Sequence, residues 1–148
     1  MRISVAADSL DGVARLLPDR LTALGHEVAV HGALVEAVAE TDPAAVWSTC
    51  AKLAAMDVAA GRAEQAVIAC WTGTGVSIAA NKVPGVRAAL CTDAATAAGA
   101  RRWNDANVLA LSLRLTSEQV LAEILEAWFE TGPSSEPGDV AAVGLIEP

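Results

Sequence analysis

The chain has 148 residues, 53% of them hydrophobic, and a formal net charge of −8. Its length is typical of a single domain with a substantial core. The acidic balance argues against nucleic acids and anionic membrane surfaces as partners, because both bind basic proteins, and no apolar stretch reaches the ~20 residues that a membrane helix needs.

Short apolar runs alternate with helical patterns along the chain. In chain order, strands are predicted over residues 2–7, 26–31, 65–70, 86–91 and 107–112. Each strand is followed by a predicted helix, over residues 11–24, 43–60, 76–81, 94–103 and 117–130. Gly25 and Gly61 follow the first two helices, as expected for residues that end a helix. The alternation predicts an α/β fold with a five-stranded parallel sheet between two helical layers, a three-layer α/β/α sandwich.

A single domain is therefore expected over residues 1–130. Residues 131–148 are rich in Gly, Pro and Ser and are predicted to form a C-terminal tail or arm. The N-terminal sequence MRISVAADSL lacks the long apolar core of a signal peptide. The three cysteines show neither metal-binding nor redox spacing, so we expect no disulfide and no metal site, and we predict a cytoplasmic location.

In a parallel α/β sheet, ligands bind at the carboxyl ends of the strands, in the loops that lead into the helices. The predicted loops at that edge are residues 7–11, 70–75, 91–94 and 112–116. Candidate functional residues are expected in these loops or in segments that fold over them.

Cys70 ends the third predicted strand and precedes a helix, whose N-terminal dipole would stabilise a thiolate. A thiolate at this position could act as a general base that removes a proton next to a carbonyl group. The alternative is a small buried apolar residue at a strand end, and that reading is preferred for Cys50 and Cys91.

The turn Thr72-Gly73-Thr74-Gly75, followed by Ser77, can present backbone N–H groups and hydroxyls to one oxyanion. Such donors stabilise developing negative charge, for example on an enediolate. The turn matches neither the Walker loop nor the dinucleotide-binding G-x-G-x-x-G pattern. The alternative is a glycine turn that only allows close packing of a strand against a helix.

Two further pairs of residues could bind a substrate or take part in catalysis. Asp8 and Ser9 follow the first predicted strand, where an acid could bind sugar hydroxyls or transfer a proton, or could cap the next helix. Trp103 and Asn104 stand at the end of the fourth predicted helix. They could stack on a polar ring and hydrogen-bond to it, or they could be a packed indole and a turn residue.

Two segments, SIAANKVPGVRAALCTD and NDANVLAL, resemble the type B ribose-5-phosphate isomerase family, which also includes galactose-6-phosphate isomerase subunits. The resemblance extends from RISVAAD to LEAWF. It implies a Rossmann-like α/β/α sandwich that forms a homodimer or tetramer with its site at the subunit interface. It also implies interconversion of aldose and ketose phosphates through a cis-enediolate, without a metal or an organic cofactor.

The resemblance assigns roles to individual residues. Cys70 matches the family's cysteine general base, Thr72 stands in the family's anion hole beside it, and Asp8 matches the Asp of the Ser-Asp-His signature. The other matches are positions of the anion hole, of the His-Asn-Asp motif and of the phosphate end: Gly73, Gly75, Asn104 and Arg114.

Other positions depart from the family pattern. Ser9 and Trp103 stand where the family has His, Trp47 stands where it has a substrate-contacting Tyr, and Trp71 replaces the first Gly of the anion hole. The 34 residues after Arg114 contain no Lys, Arg or His, although the family carries phosphate-binding arginines there. Because indole faces suit the C–H surfaces of sugars, these changes predict altered substrate recognition at a mouth that includes the three tryptophans.

Three readings follow from this pattern. The first is an aldose–ketose isomerase that acts on a sugar or a sugar phosphate by proton transfer at Cys70. The second is a non-catalytic sugar-binding homologue, or a partner subunit of a hetero-oligomeric isomerase, whose tryptophans fill the pocket. The third is an isomerase in which another subunit or a bound anion supplies the missing phosphate-binding charge.

Overall fold

The computed structural model describes residues 1–147. Its strands are β1 (Arg2–Ala7), β2 (Glu27–Gly32), β3 (Gln65–Cys70), β4 (Ala88–Leu90) and β5 (Val108–Ser112). They form one sheet in the order β2-β1-β3-β5-β4, and every neighbouring pair is parallel. The predicted five-stranded parallel sheet is confirmed.

In the described residues 1–147, six helices accompany the sheet, together with two short 3-10 helices, Ala14–Leu16 and Pro43–Ala45. The helices are α1 (Leu17–Ala23), α2 (Trp47–Ala59), α3 (Thr74–Ala80), α4 (Ala94–Asn104), α5 (Glu118–Glu130) and α6 (Pro137–Gly144). Buried residues of α1, α4 and α5 share one core with one face of the sheet. Buried residues of α2 and α3 share a second core with the other face. The three-layer arrangement is therefore confirmed.

The two cores differ in the size of their side chains. The α1/α4/α5 core contains Leu, Ile and one fully buried Trp, Trp128. The α2/α3 core is built largely from Ala, including Ala51, Ala54 and Ala55 of α2. Small side chains let helices approach a sheet closely at interior packing density. As a result α2 and α3 lie close over β3, where the candidate site is found.

Several element boundaries differ from those predicted. The helix predicted over 11–24 is replaced by the 3-10 helix Ala14–Leu16 and the shorter α1, Leu17–Ala23, while β2, β5, α4 and α5 differ by one residue at one or both ends. The helix predicted over 43–60 is divided, because Val46 is extended (ψ 129°) and the Asp42 carboxylate accepts a hydrogen bond from the Ala44 N–H at 2.8 Å. Helix α3 begins two residues earlier than predicted, directly after Gly73. Strand β4 is shorter than predicted. The backbone N–H groups of residues 87 and 88 donate hydrogen bonds to the side-chain oxygens of Asn107 and Asn81, respectively, instead of to a neighbouring strand.

The C-terminal segment predicted as a tail contains α6, none of whose residues is buried. It contacts α4, and the Ser134 N–H donates to the Arg102 carbonyl at 2.8 Å. Near the end of the described residues, Glu147 forms an ion pair with Arg87. Within residues 1–147 no helix has the length and apolar character needed to cross a membrane.

Candidate active site

Cys70 and Asp8 lie side by side at the carboxyl edge of the sheet. Ala7 and Ala69 are paired across β1 and β3, so the residues that follow them stand on neighbouring strands about 4.8 Å apart. Ala6 and Cys70 belong to the same α2/α3 core. Since side chains alternate along a strand, Asp8 continues the Ala6 face and shares it with Cys70.

The Asp8 carboxylate has an unsatisfied acceptor. Its Oδ1 is buried and has no hydrogen-bond partner within residues 1–147. Burial raises the pKa of Asp8, and the negative charges of Asp11 and Glu40 raise it further. A buried acceptor without a donor costs about 1–3 kcal/mol, so this oxygen is suited to receive a hydroxyl from a ligand. No helix is capped by Asp8; the neighbouring Ser9 hydroxyl instead bonds to the Asp11 carboxylate at 3.2 Å.

Cys50 and Cys91 are fully buried, as expected for small apolar residues. Burial raises the pKa of Cys50 to about 12, and the nearby charges of Asp8 and Cys70 contribute in the same direction. Burial likewise raises the pKa of Cys91 to about 12, with a contribution from Asp93. Neither thiol is suited to act as a base near neutral pH.

The loop after Cys70 presents free amide groups. The backbone N–H groups of Thr72 and Gly73 have no acceptor within residues 1–147. The hydroxyls of Thr72 and Thr74 bond to each other at 2.8 Å. Gly73 has φ +75°, and a Cβ on it would lie 2.9 Å from the Leu111 carbonyl oxygen. Glycine is therefore required here by both conformation and space, and the loop can offer backbone donors to an oxyanion.

Two tryptophans flank this loop. Trp71 follows Cys70 directly and its side chain is 56% exposed. Trp47, at the start of α2, is 44% exposed, and its indole lies against Gly75 of α3. Ser77 follows within the same short helix and is half-buried. Of the predicted residues, Trp47 and Gly75 are in contact, and Trp71 adjoins Cys70 in the chain.

Trp103 and Asn104 lie far from Cys70 in the folded chain. Helix α4 leads from the carboxyl end of β4 back to the amino end of β5, so its last residues stand at the sheet edge opposite Cys70. Both residues are exposed and line an open groove of about 570 Å³ beside β4. Arg114, in contrast, is at the Cys70 edge, where its N–H donates to the Trp71 carbonyl at 3.0 Å and its side chain is exposed.

Ser112 is a residue at this edge that the sequence patterns did not single out. It is buried at the end of β5, in register with Cys70, and its hydroxyl donates to the Trp71 carbonyl at 3.0 Å. The available signal was its position, since it opens one of the four predicted carboxyl-edge loops with a polar side chain after an apolar strand.

A family model described as Ribose/Galactose Isomerase matches residues 5–140. The chain belongs to this family. Among curated proteins, this ribose/galactose isomerase family member is 37% identical over 112 residues to ribose-5-phosphate isomerase B of Escherichia coli, covering 71% of this chain and 74% of the relative. It is 39% identical over 90 residues to D-erythrulose-4-phosphate isomerase of Pectobacterium atrosepticum, covering 59% of each chain.

Solved structures agree with this assignment. The fold matches ribose-5-phosphate isomerase B of Clostridium thermocellum with a TM-score of 0.84 and 33% identity, covering 99% of this chain and 95% of that one. The Rossmann-like fold and the membership of a sugar isomerase family, both expected from the sequence, are therefore confirmed. At the level of reaction class, this family member is an intramolecular oxidoreductase of the aldose–ketose type.

Proposed function

We propose that this chain interconverts an aldose and a ketose by moving a proton between neighbouring carbons, with Cys70 as the base. The observation that carries the proposal is the juxtaposition, at one edge of the sheet, of the Cys70 thiol, the unpartnered Asp8 oxygen and the free amides of Thr72 and Gly73. Base, hydroxyl acceptor and oxyanion donors are the three groups that an enediolate mechanism requires.

The proposed reaction starts from the open-chain aldose. The Cys70 thiolate removes the proton from C2, and the electron pair of that bond forms the C1–C2 double bond while the carbonyl electrons move to O1. The N–H groups of Thr72 and Gly73 stabilise the resulting oxyanion. Asp8 accepts the O2 hydroxyl proton and returns a proton to O1, and the Cys70 thiol delivers its proton to C1. The ketose is released with every proton accounted for and no oxidant consumed.

We further propose that a second copy of the chain completes the site. Trp103 and Asn104 stand at the sheet edge opposite Cys70, so within one chain they cannot reach the same substrate. A symmetric dimer would bring the end of one protomer's α4 to the Cys70 loop of the other. Each dimer would then hold two equivalent sites.

Substrate recognition is proposed to rest more on indole surfaces than on cations. Trp71 lies in the Cys70 loop and Trp47 packs on Gly75, and both are exposed. Neither Trp71 nor Trp103 fills a cavity, since each is 56% exposed. This exposure supports an open site. Arg114 follows β5 and its N–H bonds to the Trp71 carbonyl, and no Lys, Arg or His follows it in the sequence. We therefore expect a weaker preference for phosphorylated sugars than phosphate-binding arginines would confer.

Product formation from free and phosphorylated pentoses and hexoses, followed by NMR, tests this function. Turnover of at least one aldose–ketose pair is expected for the wild type, with loss in Cys70→Ala. Full turnover by Cys70→Ala on that pair would rule out the thiol as base.

Mixing two inactive variants tests the shared site. Cys70→Ala and Asn104→Ala each damage a different half of it, so unfolding and refolding them together should restore about a quarter of the wild-type activity through hybrid dimers. Absence of any restoration, with hybrid dimers demonstrated by mass spectrometry, would contradict a site built from two copies.

A further inference from the structure

Ser112 contacts the loop that follows Cys70 through its side chain. It is the last residue of β5, pairs in register with Cys70, and is 2% exposed. Its hydroxyl donates to the Trp71 carbonyl at 3.0 Å and accepts a hydrogen bond from the Leu115 N–H at 3.3 Å. Both capacities of the hydroxyl are therefore used, so its orientation is fixed.

The Trp71 carbonyl is held by a second donor, the Arg114 N–H at 3.0 Å. One step earlier, the Cys70 carbonyl accepts the Leu113 N–H at 2.9 Å. The end of β5 thus holds two successive carbonyls of the Cys70 loop. The bond from Ser112 is the one made by a side chain, so it alone can be removed by substitution without altering the backbone.

Holding the Trp71 carbonyl also orients the next amide. In a planar trans peptide the C=O and the following N–H point in opposite directions. Because the Trp71 C=O points toward β5, the Thr72 N–H points away from β5. This N–H has no acceptor within residues 1–147.

The same contact restrains the Trp71 side chain. An exposed indole on an unsupported loop loses much conformational entropy when it contacts a ligand, so a restrained backbone reduces that cost. The carbonyl of Trp71 belongs to the residue that carries the indole, and two donors hold it. The position of the indole beside Cys70 therefore depends on the same anchor.

We propose that Ser112 is a positioning residue, whose hydroxyl holds the Trp71 carbonyl so that the Thr72 N–H and the Trp71 indole both face the reacting sugar. The inference rests on the proposed isomerase function for its effect on rate. The anchoring of the loop itself can be measured without any substrate.

The test uses Ser112→Ala in the full-length protein, with Ser112→Thr as the conservative variant. Ser4→Ala is the matched control, because Ser4 is also a buried strand serine, and it donates to Asp57 at 2.8 Å, far from the loop. With D-ribose 5-phosphate or the best aldose found, Ser112→Ala should lower kcat about tenfold, less than the 10²–10³-fold typical of deleting an oxyanion donor. KM should change less than kcat, and Ser112→Thr should recover most of the rate.

Tryptophan emission reports on the loop independently of activity. Ser112→Ala should shift the emission of the wild type, and the shift should vanish when Trp71→Phe is the background. Ser4→Ala should lower the unfolding midpoint without changing kcat or the Trp71 emission. This pattern separates positioning from a general loss of stability.

Two results would overturn the proposal: an unchanged Trp71 emission in Ser112→Ala, or a kcat that falls equally in Ser4→Ala and Ser112→Ala. If the wild type turns over no aldose, the isomerase proposal fails by itself. In that case a Trp71-specific emission shift in Ser112→Ala still supports the anchoring of the loop, and its absence still refutes it.

Discussion

The indole of Trp47 lies directly on Gly75. A Cβ on Gly75 would stand 2.9 Å from Cε3 and 3.1 Å from Cδ2 of the Trp47 ring, so no larger residue fits without moving the indole. This contact joins the start of α2 to the start of α3 on one side of the Cys70 loop. Because Gly75 supports one part of the Trp47 ring, the indole keeps a defined position although nearly half of its surface is exposed.

Gly75→Ala should therefore act through Trp47. Overpacking should lower the free energy of unfolding by about 1–3 kcal/mol. In a Trp47→Ala background the clash is gone, and the same Gly75→Ala substitution should be neutral or stabilising, because alanine is preferred to glycine within a helix by about 1 kcal/mol. Urea unfolding of the wild type, Gly75→Ala, Trp47→Ala and the double variant gives the interaction free energy between the two substitutions. Additive effects would show that the ring does not constrain position 75.

Gly73→Ala should lower the free energy of unfolding more than Gly25→Ala does, although both glycines have positive φ values, +75° and +84°. Left-handed backbone costs a non-glycine residue about 1–2 kcal/mol in either case. At Gly73 the new Cβ also meets the Leu111 carbonyl at 2.9 Å, whereas nothing lies within 4 Å at Gly25.

We expect the Gly73→Ala variant to unfold at a clearly lower urea concentration and to lose turnover, while Gly25→Ala keeps it. Equal destabilisation of the two variants would mean that the carbonyl contact is relieved at little cost.

Alkylation should distinguish the three cysteines. Cys50 and Cys91 are fully buried, and burial raises the pKa of each to about 12, so their thiolates are scarce at pH 7.5. Cys70 retains some exposed surface at the edge of the sheet. Iodoacetamide should label Cys70 first and abolish turnover in parallel, as followed by peptide mass mapping. Labelling of Cys50 or Cys91 in the native protein at a comparable rate would show that burial does not protect these two thiols.

His26 should make stability depend on pH. Both of its ring nitrogens are buried without a partner within residues 1–147, and the ring packs on Phe129 with centroids 4.4 Å apart. Burial lowers the pKa of His26 below 6.5, helped by the positive N-terminus. As pH falls from 6.5 toward that lower value, the unfolded chain binds the proton first, so the free energy of unfolding decreases.

His26→Leu should therefore lose less stability than the wild type over this range. Urea unfolding at pH 7.5, 6.5 and 5.5 measures the slopes. Identical slopes for the two proteins would show that His26 does not contribute.

The sequence predicted the parts of this molecule that depend on local pattern and parallel topology. The bounds of β1 and β3 are as predicted, because both are mostly apolar segments in which every residue after the first is buried. The adjacency of Asp8 and Cys70 depends on the pairing of β1 with β3, which the sequence did not predict because the order of strands in a sheet is not a local pattern. The break before α2 could not be read from periodicity, since it depends on a side-chain contact of Asp42.

Contacts between distant segments were also beyond sequence reasoning. The packing of Trp47 on Gly75 and the bond from Ser112 to the Trp71 carbonyl join residues far apart in the chain. The sequence alone groups Trp103 with Trp47 and Trp71, because all three replace other residues of the family pattern. The direction of α4 places it at the opposite edge of its own chain, so a common mouth requires a second copy.

In the proposed reaction Cys70 moves a proton at C2 of a sugar. The most direct test incubates the protein in deuterated water with free and phosphorylated pentoses and hexoses and follows the C2 proton by NMR, with Cys70→Ala and Cys70→Ser as controls. We expect exchange of the C2 proton for deuterium on at least one sugar by the wild type and none above background in either variant. Exchange at the wild-type rate in Cys70→Ala would contradict it.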